Sequence, residues 1–289
     1  MMIQEHYLVN YMRVNNLTAN YHTHYSICKH AEGSIEEYIL KAIEKGYKEF
    51  TFTEHIPLPK EMRSVITSKR MWIEELDTYI NEVNYYKEKY KDQIKILLGF
   101  ECEYLDFLEP LIKELYEIAD FLILGQHYIK VENSYKSIYD VSENKDLENY
   151  ISNAHRALST GLFKIMAHPE IFLWKIKTWN PYIEQLSNQL IDSAIKNNVF
   201  LEINSNGVRL CKKKNKTFVY DNKLLYCYPN YNFFKLAKDK NAKIILNEDS
   251  HNPLHLKDEA TLEALSLANE LKIPLITNIN DSSLEEDEN

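Results

Sequence analysis

The sequence has little glycine, little cysteine and no long apolar run, and each shortage excludes a class of protein. Only six of the 289 residues are Gly, which excludes a collagen-like repeat and a glycine-rich linker. Four Cys residues are too few for a disulfide scaffold, and none forms a CxxC pair, so we expect free thiols at Cys28, Cys102, Cys211 and Cys227. No apolar run approaches the roughly 18 residues of a membrane-spanning helix.

The sequence also lacks the short motifs of several enzyme classes. It contains no GxGxxG and no Walker A motif, so a nucleotide cofactor is not indicated. It contains no GxSxG motif, and none of its cysteines lies in a recognisable nucleophile context. The N-terminal stretch MMIQEHYLVN has neither the basic flank nor the apolar core of a signal peptide. We therefore expect a cytoplasmic protein with no membrane contact.

Positive charge is the minority: 34 Lys and Arg residues stand against 43 Asp and Glu residues, for a net charge of −9. An acidic chain gains little from counterion release on a phosphate polymer, so no nucleic-acid partner is expected. A small anionic substrate held by one local basic cluster remains compatible with this charge. The sequence does not indicate an oligomeric state.

What the sequence does contain is a regular alternation of apolar strands and amphipathic helices. Strands are predicted near 17–21, 49–53, 94–100, 120–125, 163–167, 198–203 and 242–247, with a weaker one near 274–277. Such alternation indicates parallel strands joined by right-handed crossovers. The pattern alone leaves an open doubly wound sheet and a closed barrel as alternatives. The length fits a single barrel domain over 1–289, with an acidic, disordered tail at about 280–289.

Helix ends and connecting segments can also be predicted. Ser34 and Glu37 form a capping box, and Gly46 marks the end of the same helix. Asn180 followed by Pro181 predicts the start of another helix. Further helices are predicted at 71–91, 109–118, 230–239 and 258–271. Residues 56–70 and 205–229 break the alternation and are interpreted as candidate substrate loops.

The placement of the ten histidines is the most informative feature of the sequence. His22 and His24 directly follow the first predicted strand, and His30 precedes the first helix. Later strands end in residues that can also bind metal: His55, Glu101 with Glu103, His127, His168, Glu202 with Asn204, and Asp249 with His251. In a barrel these strand ends face one rim, which carries the active site in almost every enzyme of that architecture.

The residue types and their spacing point to metal binding. His-x-His places two imidazoles on the same side of an extended segment, where both can bind one cation, and Asp-x-His does the same. The number of candidate ligands exceeds the three or four that one catalytic metal takes. It suits two or three divalent cations that share a carboxylate, and imidazole-rich sites favour Zn, Mn or Fe over Mg or Ca.

Other polar residues have two readings. His6, His155 and His255 have no strand-end context and are interpreted as surface or hydrogen-bonded histidines. Glu103 is either a ligand or only a group at the barrel mouth that supports one. The run Lys212, Lys213, Lys214 and Lys216 is interpreted as a solvated segment. Arg209 lies just beyond the sixth strand end and is either a bidentate phosphate-binding group or a surface residue.

Several ordered motifs resemble those of the PHP (polymerase and histidinol phosphatase) superfamily, and most closely its stand-alone histidinol-phosphatase branch. The similarity extends from about residue 18 to about residue 275. The motifs are HTHYSICKH at 22–30, FTEHIPLP at 52–59, GFECEY at 99–104, GQHY at 125–128, AHPE at 167–170, EINSNGVR at 202–209 and EDSH at 248–251. Together they are highly specific for the superfamily and less specific for the substrate.

The resemblance implies an α/β fold, a distorted, TIM-like (β/α)7 barrel with a trinuclear metal centre at the C-terminal rim of its strands. It assigns His22, His24, Glu101 and Asp249 to a first metal. It makes Glu101 the bridge to a second metal bound by His127 and His168, and it gives the third to His30, His55 and His251. Arg209 falls where this branch has an arginine near the substrate phosphate. The family often has Ser where this chain has Glu248, which affects a supporting contact and not a ligand.

The expected activity is metal-dependent hydrolysis of a small phosphomonoester, namely histidinol phosphate in histidine biosynthesis. A metal-bridging hydroxide would attack phosphorus, with Glu101 and Asp249 holding the metals and Arg209 neutralising the phosphate. The alternative is another PHP phosphoesterase, acting on phosphotyrosine protein or on nucleotide or oligonucleotide ends. Two other classes of protein are disfavoured. A metal-bound module without turnover does not explain the complete ligand set. An amidohydrolase does not fit the order of the ligands.

Overall fold

A computed structural model describes residues 16–132, 134–220 and 223–280, and its centre is a sheet of seven parallel strands. The strands are β1 (Ala19–Asn20), β2 (Glu49–His55), β3 (Lys95–Cys102), β4 (Phe121–Leu124), β7 (Phe163–Met166), β8 (Phe200–Asn204) and β11 (Ile244–Asn247), and they neighbour one another in that order. Two separate antiparallel hairpins pair β5 (Tyr128–Val131) with β6 (Ser134–Ser137) and β9 (Thr217–Tyr220) with β10 (Lys223–Tyr226).

The helices surround the sheet. They are α1 (Ile35–Glu44), α2 (Leu76–Lys89), α3 (Glu109–Ile118), α4 (Asn144–Leu158), α5 (Pro181–Lys196), α6 (Ser205–Lys213), α7 (Tyr231–Asp239) and α8 (Glu259–Glu270). Short 3₁₀ turns at 26–28, 60–62, 73–75, 106–108, 138–140, 171–173 and 253–255 connect them to the strands.

The sheet nearly closes on itself, which decides between the two folds that the pattern left open. Thr23 and Ser250 form a parallel bridge, and the His24 amide donates to the Ser250 carbonyl at 2.9 Å. These contacts join the end of the first strand to the end of the last, as a barrel requires and an open sheet does not allow. The predicted distorted (β/α)7 barrel is confirmed. The weak eighth strand is reduced to a single bridge between Ile245 and Ile276.

The predicted helix ends are largely confirmed. The Ser34 side chain accepts from the Glu37 amide while the Glu37 carboxylate accepts from the Ser34 amide, so both free donors of the first turn of α1 are satisfied. Gly46 has φ +78°, the left-handed conformation that ends a helix at no steric cost. Asn180 caps α5 through the Ile183 amide.

Two predictions differ from the structure, and one helix was missed. The helix expected at 71–91 begins only at Leu76, and Trp72, which precedes it, is exposed. The interpretation of 205–229 as a loop is wrong, because Asn204 caps α6 and the chain then forms the β9–β10 hairpin. Helix α4 was not predicted, since its polar N-terminal half weakens the apolar pattern.

The core has two apolar layers, one on each face of the sheet. The larger layer lies between the strands and the helices. The smaller one fills the barrel interior and is formed by Tyr21, Leu97, Phe121, Ile123, Ile165, Ala167, Phe200, Ile245 and Ile279. Alternation along a strand explains the division: in β3, Leu97 points inward while Ile96 and Leu98 pack against the helices.

The inward face of several strands changes from apolar to polar toward the carboxyl end. Two-residue steps along β3, β8 and β11 give Leu97, Gly99 and Glu101; Phe200, Glu202 and Asn204; and Ile245, Asn247 and then Asp249. Because the strands are parallel, these polar ends meet at one mouth of the barrel. The fold therefore collects buried carboxylates and imidazoles over an apolar plug.

In the part of the chain that the structure describes, helices are too short or too polar to cross a membrane. The predicted acidic tail beyond Asn280 and the residue His6 lie outside the described residues. The four cysteines are free and buried, as expected.

Candidate metal centre

All nine residues predicted as ligands lie together at the carboxyl mouth of the barrel. They are His22, His24, His30, His55, Glu101, His127, His168, Asp249 and His251. Seven of them line a cavity of about 830 Å³.

 The seven are His30, His55, Glu101, His127, His168, Asp249 and His251, whereas His22 and His24 are fully buried. The strand-end positions predicted from the sequence therefore converge on one site.

Glu101 lies at the centre of this cluster. Its Oε1 atom is 3.0 Å from His168 Nε2 and 3.6 Å from both His127 Nε2 and His22 Nε2. Its Oε2 atom is 2.6 Å from His55 Nδ1 and 3.4 Å from His24 Nε2. One buried carboxylate thus faces five imidazoles, which is the arrangement that a bridging ligand needs.

Gly125 makes room for this carboxylate. A Cβ atom built on Gly125 would lie 2.0 Å from Glu101 Oε1, closer than any side chain tolerates. The requirement here is space, because Gly125 is not among the residues with positive φ. Gly125 therefore forms a cradle that only glycine can provide.

His22, His24 and Asp249 form the deepest group of candidate ligands. The two Nε2 atoms are 3.1 Å apart, and Asp249 Oδ1 is 3.5 Å from His22 Nε2 and 3.4 Å from His24 Nε2. Ligands about 2.0–2.1 Å from a tetrahedral zinc ion lie about 3.3 Å from one another. These separations match the edges of such a coordination shell.

Two observations on Asp249 and His168 support a role as ligands. Asp249 Oδ1 is buried and has no hydrogen-bond partner among the described residues, although a buried carboxylate oxygen normally has one. Asp249 and His168 also adopt positive φ angles of 45° and 33°. Left-handed backbone at non-glycine residues is uncommon and concentrates at functional sites.

A second group lies toward solvent and consists of imidazoles alone. The Nε2 atoms of His30 and His251 are 3.0 Å apart. The ring of His55 lies 5.2 Å from that of His30 and 6.3 Å from that of His251, measured between centroids. The three histidines that the family resemblance assigns to one cation are therefore neighbours.

The deep ligands are supported by carboxylates. Glu202 Oε1 lies 2.8 Å from His22 Nδ1, and its other oxygen accepts from the Asn204 side chain and the His168 amide. Glu54 Oε2 lies 3.5 Å from His24 Nδ1. A carboxylate behind a ligating imidazole fixes its orientation and raises its basicity. Glu202, a candidate ligand by position, contacts a ligand instead.

Glu103 has the same supporting position behind His127. Its Oε1 atom lies 2.8 Å from His127 Nδ1, and Oε2 accepts from the His127 amide at 2.8 Å. Arg70 donates to Glu103 Oε1 at 2.7 Å. Of the two readings of Glu103, the geometry favours the supporting group.

Two of the three solvent-side histidines are supported differently, by backbone carbonyls. His30 Nδ1 lies 3.0 Å from the Cys28 carbonyl, and His251 Nδ1 lies 3.1 Å from the Asp249 carbonyl. A neutral carbonyl orients the ring but adds no charge. The two groups therefore differ in electrostatics as well as in depth.

The inner imidazoles, as we call His22, His24 and His168, have raised pKa values. Burial lowers the pKa of His22, but the charges of Glu202, Asp249 and Glu101 outweigh burial and raise it to about 10. At His24 burial also lowers the pKa, but contacts with Asp249 and Glu101 outweigh it and raise the pKa well above its usual value. At His168 the contact with Glu101 outweighs burial and raises the pKa.

The outer imidazoles, as we call His30, His55 and His251, have lowered pKa values. Desolvation lowers the pKa of His251 to about 3 and that of His30 to about 4. Burial and the nearby charge of Arg70 hold the pKa of His55 well below its usual value. These three rings are neutral at pH 7 and present free lone pairs.

Arg209 reaches the cavity wall but is extensively paired. Its Nε and Nη2 atoms donate to the two carboxylate oxygens of Asp258 at 2.9 and 2.8 Å. Its Nη1 donates to the Glu248 carbonyl at 3.0 Å, and Nη2 also donates to the His255 carbonyl at 2.7 Å. The Glu248 carboxylate lies 3.3 Å from Nη2. Among the contacts of the described residues, Nη1 uses one of its two N–H groups, so the other can donate to a ligand.

Several cavity residues were not singled out from the sequence. Arg70 is buried, and Tyr139 and Tyr228 line the wall, with the Tyr228 ring 6.3 Å from that of His168. His255 also lines the cavity, whereas the exposed His155 lies away from it and contacts Ser193 Oγ at 2.9 Å. Arg70 and Tyr228 had a signal, since they lie in the segments 56–70 and 205–229 that the sequence marks as candidate substrate loops.

The chain resembles known proteins along most of its length. The sequence model of the PHP domain matches residues 20–206. A Schizosaccharomyces pombe protein named as a probable histidinol-phosphatase is 27% identical over 256 residues, which is 78% of this chain and 78% of that protein. The histidinol-phosphatase of Bacillus subtilis is 24% identical over 257 residues, covering 80% of this chain and 92% of that protein.

A solved structure shares the fold. The histidinol phosphate phosphatase of Lactococcus lactis, crystallised with zinc, L-histidinol and phosphate, superposes with a TM-score of 0.63 at 17% identity. The superposition covers 88% of this chain and 93% of that one. At this identity the likeness concerns the fold.

Proposed function

The chain belongs to the PHP domain family, and on that premise we propose that it is a metal-dependent phosphatase that hydrolyses histidinol phosphate to histidinol and phosphate. The observation that carries the proposal is the convergence of nine candidate ligands, seven imidazoles and two carboxylates with Glu101 among them, at one barrel mouth. The relatives named histidinol-phosphatase, which align over most of the chain, support the substrate.

The donor set fits two or three divalent cations, of which zinc is the one that a structural relative contains. His22, His24, Glu101 and Asp249 would hold the first, and Glu101 with His127 and His168 the second. The outer imidazoles would hold the third. Divalent cations in such a site lower the pKa of water and polarise phosphoryl oxygens.

The chain's own residues have three further tasks in this proposal. Arg70 and Arg209 both line the cavity and add positive charge for the phosphate group. Asn206 and Asn252 line the same cavity and offer neutral hydrogen bonds. Glu202 and Glu103 hold the rings of His22 and His127 in orientation.

A carboxylate at the cavity rim suits the cationic amine of histidinol. Glu32 lines the cavity, and its amide donates to the His251 carbonyl at 2.9 Å, so the residue lies beside the outer imidazoles. Its Oε2 accepts from Asn252 at 2.7 Å. We propose that Glu32 pairs with the substrate ammonium while the phosphate group faces the metals.

A substrate panel tests the proposal. Protein loaded with zinc or with manganese is given histidinol phosphate, a phosphotyrosine peptide, a nucleoside monophosphate and a short oligonucleotide, and released phosphate is measured. We expect histidinol phosphate to give the highest kcat/KM. Preference for the peptide or for a nucleotide would overturn the substrate and retain a PHP phosphoesterase, while no phosphate release from any compound would overturn both.

A further inference from the structure

A pair of thiols lies behind the cavity wall, outside the metal cluster. Cys211 in α6 and Cys227 just after β10 have their Sγ atoms 3.3 Å apart, and both residues are buried and free. We propose that Cys211 and Cys227 form a redox modification site, in which oxidation to a disulfide fixes α6 to the segment that carries Tyr228.

The surrounding contacts hold the two sulfurs in place. Cys211 Sγ also lies 3.3 Å from the Tyr228 carbonyl, and the Lys216 amide donates to the Cys211 carbonyl at 2.8 Å. A Cβ on Gly207 would lie 2.5 Å from the Tyr228 ring, so helix and ring are already in close contact. A disulfide requires a sulfur separation of about 2.05 Å, which leaves an approach of about 1.3 Å.

The other two cysteines provide an internal contrast. Cys28 and Cys102 lie in separate elements, and burial raises the pKa of both thiols, Cys102 well above its usual value. The pKa of Cys211 is lowered, first by its hydrogen bond with Cys227 and further by backbone contacts and the charge of Lys216. The thiolate is the reactive form, so oxidation should select Cys211.

The chemistry needs a two-electron oxidant, for which we name hydrogen peroxide. The Cys211 thiolate attacks one peroxide oxygen, the O–O bond breaks, and the departing hydroxide takes up a proton to give water and a sulfenic acid. The Cys227 sulfur then attacks the Cys211 sulfur, its own proton leaves, and the sulfenic oxygen departs as a second water. The two thiols supply both electrons, and a reducing dithiol reverses the change.

The bond would restrict one wall of the cavity. Asn206 and Arg209 project from α6, and Tyr228 follows Cys227 directly; all three line the cavity. None of them is a proposed metal ligand. Resting on the proposed function, we therefore expect oxidation to change KM for histidinol phosphate by at least about twofold while metal content stays constant.

The site is tested on the full-length, zinc-loaded protein, because zinc has no redox chemistry of its own. After peroxide treatment and removal of the oxidant, we expect the intact mass to fall by two hydrogen atoms and peptide mapping to find a Cys211–Cys227 crosslink. Cys211→Ser and Cys227→Ser should each abolish the loss, and Cys28→Ser and Cys102→Ser should retain it. A disulfide between other cysteines, or oxygen addition without a crosslink, would overturn the proposal.

Activity then tests the link to the cavity. We expect the oxidised protein to show the altered KM, dithiothreitol to restore it, and the two serine variants at the pair to show no response to peroxide. An unchanged KM in fully crosslinked protein would overturn the effect on the cavity wall. If histidinol phosphate is not a substrate at all, the proposed function fails, and mass analysis still decides whether the disulfide forms.

Discussion

The inner and outer imidazoles present two different solutions to metal binding within one cavity. The inner rings are surrounded by carboxylates, which raise the pKa of His22 to about 10. The outer rings are desolvated, backbone carbonyls orient His30 and His251, and the pKa of His251 is lowered to about 3. The comparison shows that the inner and outer groups differ in charge as well as in ligand type. A cation that binds the inner imidazoles must displace their protons. A cation that binds the outer imidazoles finds nitrogens that are already neutral.

The largest effect is expected from removing an inner ligand. His22→Ala should lower kcat for phosphate release by at least about a thousandfold, because it removes a buried donor of the first metal. The fold should survive, since the apolar layers on both faces of the sheet are unchanged. Turnover, metal content and circular dichroism measure this. The exposed His155→Ala provides the control, and near-normal turnover of His22→Ala at full metal content would contradict the assignment.

A smaller loss is expected on the outer side. His30→Ala should lower turnover by about a hundredfold and remove one metal equivalent, because it removes one of the three imidazole donors of the outer group. Metal analysis after dialysis against a weak chelator measures the order of release. We expect the outer metal to be released first, and release of the inner metals before the outer one would contradict this order.

The supporting carboxylate can be tested without removing a ligand. Glu202→Gln keeps the shape and a hydrogen-bonding oxygen but removes the charge beside His22. We expect about a tenfold to hundredfold loss in metal affinity or turnover. The expected accompanying change is a fall in the pKa of His22 in metal-free protein, followed by NMR. An unchanged His22 pKa would mean that Glu202 does not control the inner charge.

Proton release gives a direct measure of the same contrast. His22 in metal-free protein is protonated at pH 7.5, below its pKa of about 10, and must lose its proton to bind a cation. Inner binding should therefore strengthen as pH rises toward 10, whereas the outer rings are already neutral above about pH 5. Zinc titrations in buffers of different ionisation enthalpy measure the released protons. His30→Ala should release as many as the unmodified protein, and a clear fall would contradict the division.

The smallest effect is expected at the rim. Glu32→Gln should raise KM for histidinol phosphate by only a few-fold, because the carboxylate is exposed and solvent screens its attraction for an ammonium group. Hydrolysis of an aryl phosphate that lacks an amino group should not change, and this serves as the matched control. Equal effects on both substrates would mean that Glu32 does not contact the amine.

The sequence predicted the metal cluster better than its surroundings, and the reason is physical. Strand ends in a parallel barrel meet at one rim, so the position of His55 or Asp249 along the chain already determined its neighbourhood. The partners of Arg209 could not be found in this way, because Asp258 and the Glu248 carboxylate reach it through side-chain packing across elements. The same holds for the thiol pair, which α6 and the β9–β10 hairpin bring together. The single-domain organisation over 1–289 stays a prediction.

The barrel closure between Thr23 and Ser250 has a consequence for synthesis of the chain. The first candidate ligand is His22 and the last is His251, so the cluster joins the two ends of the described polypeptide. The ribosome must deliver the chain as far as Asp249 before this residue can meet His22 and His24. Cation loading would then report that the last strand has docked, and ligand binding to the folded state alone would oppose its detachment.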